Sequence, residues 1–136
     1  MQNKQRMRSS GGFTLIEVLI VITLIVVLAS MGMASYTNSV QRAREAVLRE
    51  DLFRMRDAID QYYADKTKYP QSLQDLVTDK YLREIPKDPI TNSADTWTTV
   101  PAEADAANPT AEPGVYDVKS GSEGTSLDGT KYAEWD

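Results

Sequence analysis

The pattern of apolar and polar positions changes once along the chain, near residue 35. From Phe13 to Met33 the only charged side chain is Glu17, and a run of about 20 such residues is long enough to cross a bilayer as a helix. From Tyr36 to about Asp65 the apolar positions thin to a stripe. Val40, Ala43, Val47, Leu52, Met55, Ile59 and Tyr62 recur there at near-helical spacing, while charges take the other faces. No Pro or Gly interrupts that second stretch. One helix is therefore predicted from Phe13 to about Ala64, on the order of 78 Å long at 1.5 Å per residue, apolar in its first half and amphipathic in its second.

Thr67 to Pro70 ends this rod. Ser72-Leu73-Gln74-Asp75 has the form of an N-cap with an acid three residues on, and opens a short helix through about Tyr81 with Leu73, Leu76 and Val77 inward. Pro86 and Pro89 then fix an extended turn that cannot be helix. Beyond it, Thr96 to Val100, Val115 to Val118 and Lys131 to Trp135 read as strands. The fold class is α+β: a long N-terminal helix packed on a short helix and a small C-terminal antiparallel sheet. The stretch from Pro101 to Pro113, rich in Ala, Pro and acids, is either a solvated loop or a subunit contact or insertion.

On the long helix, Arg42, Arg44, Arg49, Arg54 and Arg56 alternate with Glu45, Glu50, Asp51, Asp57 and Asp60. Glu45 to Arg49 and Glu50 to Arg54 stand in the favourable i to i+4 order. These charges read either as a solvated face or as a device that registers one subunit on the next. The glycine-rich stretch from Ser120 to Gly129 alternates oxygen side chains with glycines, which suits either a plain hairpin loop or a hard cation such as Ca²⁺ with its six to eight oxygen ligands. It lacks the acid spacing and flanking helices of an EF-hand.

Composition narrows the chemistry. With no histidine among 136 residues, the usual general base and the commonest zinc ligand are missing, so catalysis is not expected. With no cysteine, neither a disulfide framework nor a thiolate metal site is available. Three of the 15 basic side chains, Lys4, Arg6 and Arg8, lie before Gly12, leaving 12 against 20 acids in the rest. That acidic balance argues against nucleic-acid binding, which depends on phosphate neutralisation.

Met1 to Gly12 carries those three cations and no acid, so it is expected to stay cytoplasmic by the positive-inside bias. Its small residues, Ser9 to Gly12, precede the apolar run, whereas an ordinary secretory signal places them after it. A cut after Gly12 would leave the apolar helix in the mature chain. Glu17 would cost a few kcal/mol inside a bilayer, and it reads either as an incidental acid in a plain anchor or as a group awaiting a cationic partner.

Gly11-Gly12-Phe13-Thr14-Leu15-Ile16-Glu17 resembles the class III signal of type IV pilins and pseudopilins. The resemblance implies cleavage between Gly12 and Phe13 by a prepilin peptidase, methylation of the Phe13 amine, and pairing of Glu17 with that amine on a neighbouring subunit. It divides the chain into a cleaved basic leader, 1–12, a hydrophobic filament-core helix, 13–35, and a pilin-like periplasmic head, 36–136. Val26 and Ala34 stand where members of the family often have Gly and Pro, so loosening of the helix is expected at Gly32.

Lys68-Tyr69-Pro70, the Leu-rich short helix, Tyr81-Leu82 and Pro86-Lys87-Asp88-Pro89 are most similar to the major, G-type pseudopilin of type II secretion systems, although Ile90-Thr91-Asn92 replaces the usual Trp-Gly-Asn. This resemblance implies a calcium-binding loop near the C-terminus. Ser120, Glu123 and Asp128 are the candidate side-chain ligands, with carbonyls of Ser122 and Ser126 and the carboxylates of Asp88 or Asp117 as possible additions. Glu123 stands where an Asp is usual. The implied function is a structural subunit, not an enzyme, that polymerises into a helical periplasmic pseudopilus. Its implied partners are its own copies, minor pseudopilins, the inner-membrane assembly platform and the prepilin peptidase. A pilin of a type IV surface pilus is the alternative.

Overall fold

The computed structural model describes residues 11–104, 106, 107, 110 and 112–136, with the side chains of 11–13 outside the description. The leader residues 1–10 therefore lie outside the described residues. In chain order the elements are α1 (Gly11–Lys66), α2 (Leu73–Thr78), β1 (Thr98–Pro101), β2 (Val115–Lys119) and a 3₁₀ turn, Tyr132–Glu134. Contacts divide the chain into two units with a boundary between Ser39 and Val40.

In the first unit, α1 runs through Gly32 without a break. Leu15, Ile16 and Val18 through Val21 are exposed, as are most apolar side chains on to Met33. The hydroxyls in this stretch fold back onto the helix itself. Thr23 Oγ1 donates to the Leu19 carbonyl at 2.7 Å, and Ser30 Oγ donates to that of Val26 at 2.7 Å. Such back-bonding leaves these polar atoms satisfied without water, as a lipid environment demands.

In the second unit, α1 supplies Leu48, Leu52, Met55, Ala58, Ile59 and Tyr62 to a core completed by Leu73 and Leu76 of α2, Trp97, Val115 and Val118, Tyr132 and Trp135. This corrects the sequence stripe at its start. Val47 is half exposed while Leu48 is fully buried, because the inward face follows 48, 52, 55, 59 and 62, and Val47 stands about 100° away from Leu48 around the helix.

α2 is shorter than predicted. Its backbone turns at Lys80, which takes the left-handed conformation with φ 68°, and the Tyr81 and Leu82 amides both return to the Leu76 carbonyl. Ser72 makes no side-chain cap. Asp75 instead accepts a hydrogen bond from the Gln71 amide at 3.0 Å.

β1 and β2 pair antiparallel, with Thr98 opposite Lys119 and Val100 opposite Asp117. A bulge between Val100 and Pro101 shifts the register, so that Val115 and Val118, an odd number of residues apart, both face the core. The third predicted strand, Lys131 to Trp135, is the 3₁₀ turn, joined to the loop by one bridge between Thr125 and Lys131. Tyr132 and Trp135 must both be buried. Residues three apart eclipse one another in a 3₁₀ turn but fall on opposite faces of a strand.

Candidate functional site: the anchor and the C-terminal clamp

Two groups of residues carry the chemistry, one in each unit. At the start of α1 the backbone from Gly11 through Phe13 is helical, and Glu17 is exposed on the apolar helix. Among the described residues this is one helix long and apolar enough to cross a membrane.

In the second unit the C-terminal segment is fastened to α1 at two levels. Glu45, 6% exposed, accepts hydrogen bonds on Oε1 from the Tyr132 hydroxyl and from the Leu127 amide, each at 2.9 Å. Gln41 Nε2 donates to the same Tyr132 oxygen at 3.1 Å. Burial and the neighbouring Glu45 push the Tyr132 phenol up, which keeps it a donor. Three turns further on, Arg56 donates to Asp117 Oδ1 at 2.7 Å and to the carbonyls of Val118 and Trp135 at 3.0 and 2.8 Å. One guanidinium thus ties β2 and the chain end to the helix, using the forked donor geometry that lysine lacks.

Of the two i to i+4 pairs read from the sequence, Glu50 to Arg54 forms at 3.0 Å on the surface. Glu45 turns inward to the clamp, and Arg49 lies over the Trp135 ring, 4.3 Å from its centroid. Glu45 and Arg56 were thus misread as surface charges. The signal for them was register: both flank the inward stripe that starts at Leu48.

The candidate cation ligands fall into separate hydrogen-bonded groups. Ser120, 1% exposed, donates to Asp88 Oδ2, and Asp88 also accepts the Ile90 amide on Oδ1 at 2.8 Å. Ser120 Oγ accepts the Ser122 amide, and Ser122 Oγ accepts that of Gly124. Asp128 Oδ1 accepts from Ser126 Oγ and from the amide and hydroxyl of Thr130. Those donors hold its carboxyl down at about 2. Glu123 is exposed, and Asp117 is committed to Arg56. The donor set is all oxygen, as a hard cation prefers. Among the described residues, however, no three of His, Cys, Asp and Glu are grouped to hold a metal ion, and the protein's own donors engage both Asp88 and Asp128.

An exposed apolar helix start carrying one acid, with a small α+β head packed on the later part of the same helix, defines a pilin-like chain, and that helix start is consistent with anchoring in a membrane. Consistent with that class, residues 7–33 match the family described as the prokaryotic N-terminal methylation motif. Type II secretion system core protein G of Klebsiella michiganensis is 31% identical over 62% of this chain and 70% of its own length. The proteins of that name from Vibrio cholerae and Pseudomonas aeruginosa are each 30% identical, over 62% and 60% of this chain and 68% and 69% of theirs. The chain belongs to the type II secretion system core protein G family. No solved structure matches it.

Proposed function

We propose that this chain is the structural subunit of a helical periplasmic pseudopilus that drives protein export by type II secretion. The observation that carries the reading is its similarity to the core protein G relatives, joined to the methylation motif at its start. Repetition of one heterologous contact between copies generates an open helical filament. In this reading the chain waits in the inner membrane with its N-terminus cytoplasmic and residues 36–136 periplasmic. It is cut between Gly12 and Phe13, and the Phe13 amine is methylated. Glu17 meets that amine on a neighbouring copy, which offsets the cost of a carboxylate among apolar side chains. Minor pseudopilins and the membrane assembly platform are its further partners. The name shared by the relatives favours this reading over a surface pilus.

Deletion of the chain, followed by comparison of exported proteins and surface filaments, tests the proposal. Lost export with intact surface pili is expected. Lost pili with normal export would assign the chain to a surface pilus instead, and a mature protein that still begins at Met1 would refute both.

Calcium at the C-terminal loop belongs to the same proposal. Ser120, Glu123 and Asp128 would hold it, with carbonyls of Ser122 and Ser126, and the all-oxygen donor set supports this. Bound to the folded head, the ion would stabilise it by mass action. Residues 40–136 are expected to melt at a higher temperature in saturating calcium than in excess chelator, and superimposable curves would remove the site.

A further inference from the structure

Between the turn at Tyr69 and the β1–β2 pair lies a cleft of about 550 Å³, lined by Tyr69, Pro101, Ala102, Glu103 and Tyr116. Two tyrosine rings form its corner: the centroids of Tyr69 and Tyr116 are 5.6 Å apart and the rings cross at 80°. Tyr63 stacks on Tyr69 at 4.5 Å and backs that wall. Main-chain bonds fix the surroundings, since the Val115 amide donates to the Pro70 carbonyl and the Ala102 amide to that of Gly114, each at 2.7 Å. A methyl on Gly114 would lie 2.7 Å from Tyr69 Cβ, so only glycine lets the start of β2 approach Tyr69 this closely. The cleft is therefore built into the fold, as ligand sites usually are.

Its chemistry suits a cation. The face of an aromatic ring is electronegative and attracts a positive group within about 6 Å of its centroid. The head already uses this contact twice with its own cations: Arg49 lies 4.3 Å from the Trp135 centroid, and Lys66 lies 4.9 Å from that of Tyr62. Among the described residues no cation lies over Tyr69 or Tyr116. Lys68 lines the separate hollow that Tyr69 shares with Tyr63 and Gln71, not this one. Among the described residues the one charged group lining the cleft is Glu103, which is exposed and takes part in no ion pair.

We propose that the cleft between Tyr69 and Tyr116 receives the guanidinium of an arginine exposed on another protein. The planar group stacks on a ring while its forked N–H groups meet the Glu103 carboxylate, a combination that the compact ammonium of lysine does not make. With 20 acids against 15 basic residues, this chain draws a basic partner more readily than it draws its own acidic copies. One head suffices for the contact, so the inference does not rest on the filament reading.

The probe is N-acetyl-arginine methylamide, titrated against the full-length chain in nonionic detergent micelles. The citrulline analogue, a neutral urea of the same shape, is the control. Proton NMR follows the side-chain methylenes, which ring currents move upfield when the group sits over a tyrosine face. A saturable upfield shift is expected, with a Kd of about 1–10 mM, and the citrulline analogue should bind at least about fivefold more weakly. Tyr116 is 57% exposed, so its replacement leaves the core intact. Tyr116→Leu should weaken arginine binding about fivefold, Tyr116→Phe by less than about twofold, and Glu103→Gln about threefold.

No saturable shift up to about 50 mM, equal affinity for the citrulline analogue, or binding unchanged by Tyr116→Leu overturns the proposal. Tighter binding of an uncharged proline-rich peptide would make the cleft a groove for extended peptides and overturn it. An apparent affinity that falls as the chain concentration rises would assign the cleft to an arginine of a second copy, and overturns it as well.

Discussion

Glu45→Ala probes the clamp most directly. The carboxylate is 6% exposed and accepts two hydrogen bonds, and bonds to a charged acceptor contribute about 1.5–3 kcal/mol each. The two losses are unequal. Tyr132 is 3% exposed, and its hydroxyl would keep the bond it accepts from Gln41 but lose the acceptor for its own proton. Leu127 is 41% exposed, so its amide can turn to water at the low end of the range. Removing a buried charge returns part of the cost. The net destabilisation is about 3 kcal/mol. For a unit of about 100 residues, 1 kcal/mol moves the midpoint by about 4–8 °C, so residues 40–136 should melt about 12–24 °C lower. Glu45→Gln, which keeps the oxygen and loses the charge, should cost about 1 kcal/mol. A double-mutant cycle with Tyr132→Phe should return a coupling of about 1–2 kcal/mol. The assay is urea or thermal unfolding of residues 40–136, with Glu50→Ala as the surface control. If Glu45→Ala shifts the midpoint no more than Glu50→Ala, or if the coupling is zero, the clamp is not what holds the C-terminal turn.

Gly121→Ala should prevent stable folding of the head, because its added methyl would lie 1.7 Å from the Thr96 carbonyl oxygen, and relief requires moving the backbone just before β1 or just after β2 at a cost of about 3 kcal/mol or more; a melting point within a few degrees of the parent would contradict this packing. Arg56→Lys keeps the charge but loses the fork that reaches Asp117, Val118 and Trp135 together, so it should cost about 2 kcal/mol and free the chain end, seen as loss of the aromatic near-UV dichroism. Asp128 and Asp51 should move the acid limb of stability in opposite directions. Asp128, held down at about 2, contributes stability that is present above its unfolded value of 3.8 and lost as pH falls toward 2, so Asp128→Asn should flatten the acid loss in a plot of melting temperature against pH. Asp51 is raised above 3.8 by burial, so its ionisation costs stability as pH rises through the window just above 3.8, and Asp51→Asn should raise the melting temperature above that window.

The helix was legible because its cause is local. An uninterrupted apolar run followed by a 3.6-residue stripe specifies α1 to within a residue or two of Lys66. The two paired strands were legible from the β-branched run Thr96 to Val100 and the alternation Val115 to Val118, close to the observed Thr98–Pro101 and Val115–Lys119. What could not be read depends on pairings distant in sequence. Nothing near Glu45 announces Tyr132, 87 residues away, and an i to i+4 arginine offers a more obvious partner. Nothing near Lys131 announces a 3₁₀ turn either, since the alternation there is as good as that of β2. The turn follows from the need to bury Tyr132 and Trp135 on the same helix. The loop's oxygen-rich composition was legible as well, but not the division of its groups, with Ser120 going to Asp88 and Asp128 going to Thr130.

The exposed first unit bears on what can drive assembly. Among the described residues, the apolar side chains from Leu15 to Met33 are mostly exposed, and a bilayer or neighbouring copies would cover them. Moving such a helix from lipid into a bundle of identical helices gains little hydrophobic energy, since lipid tails are as apolar as leucine. The apolar surface therefore holds the chain in either place without choosing between them. In the proposed filament the choice falls to Glu17, a carboxylate within the apolar run that is costly while alone and favourable when a second copy supplies the cation. Weakening it should shift chains back to the membrane without unfolding the head, whereas cutting the clamp at Glu45 or Arg56 should destabilise the head and leave the apolar run in the membrane.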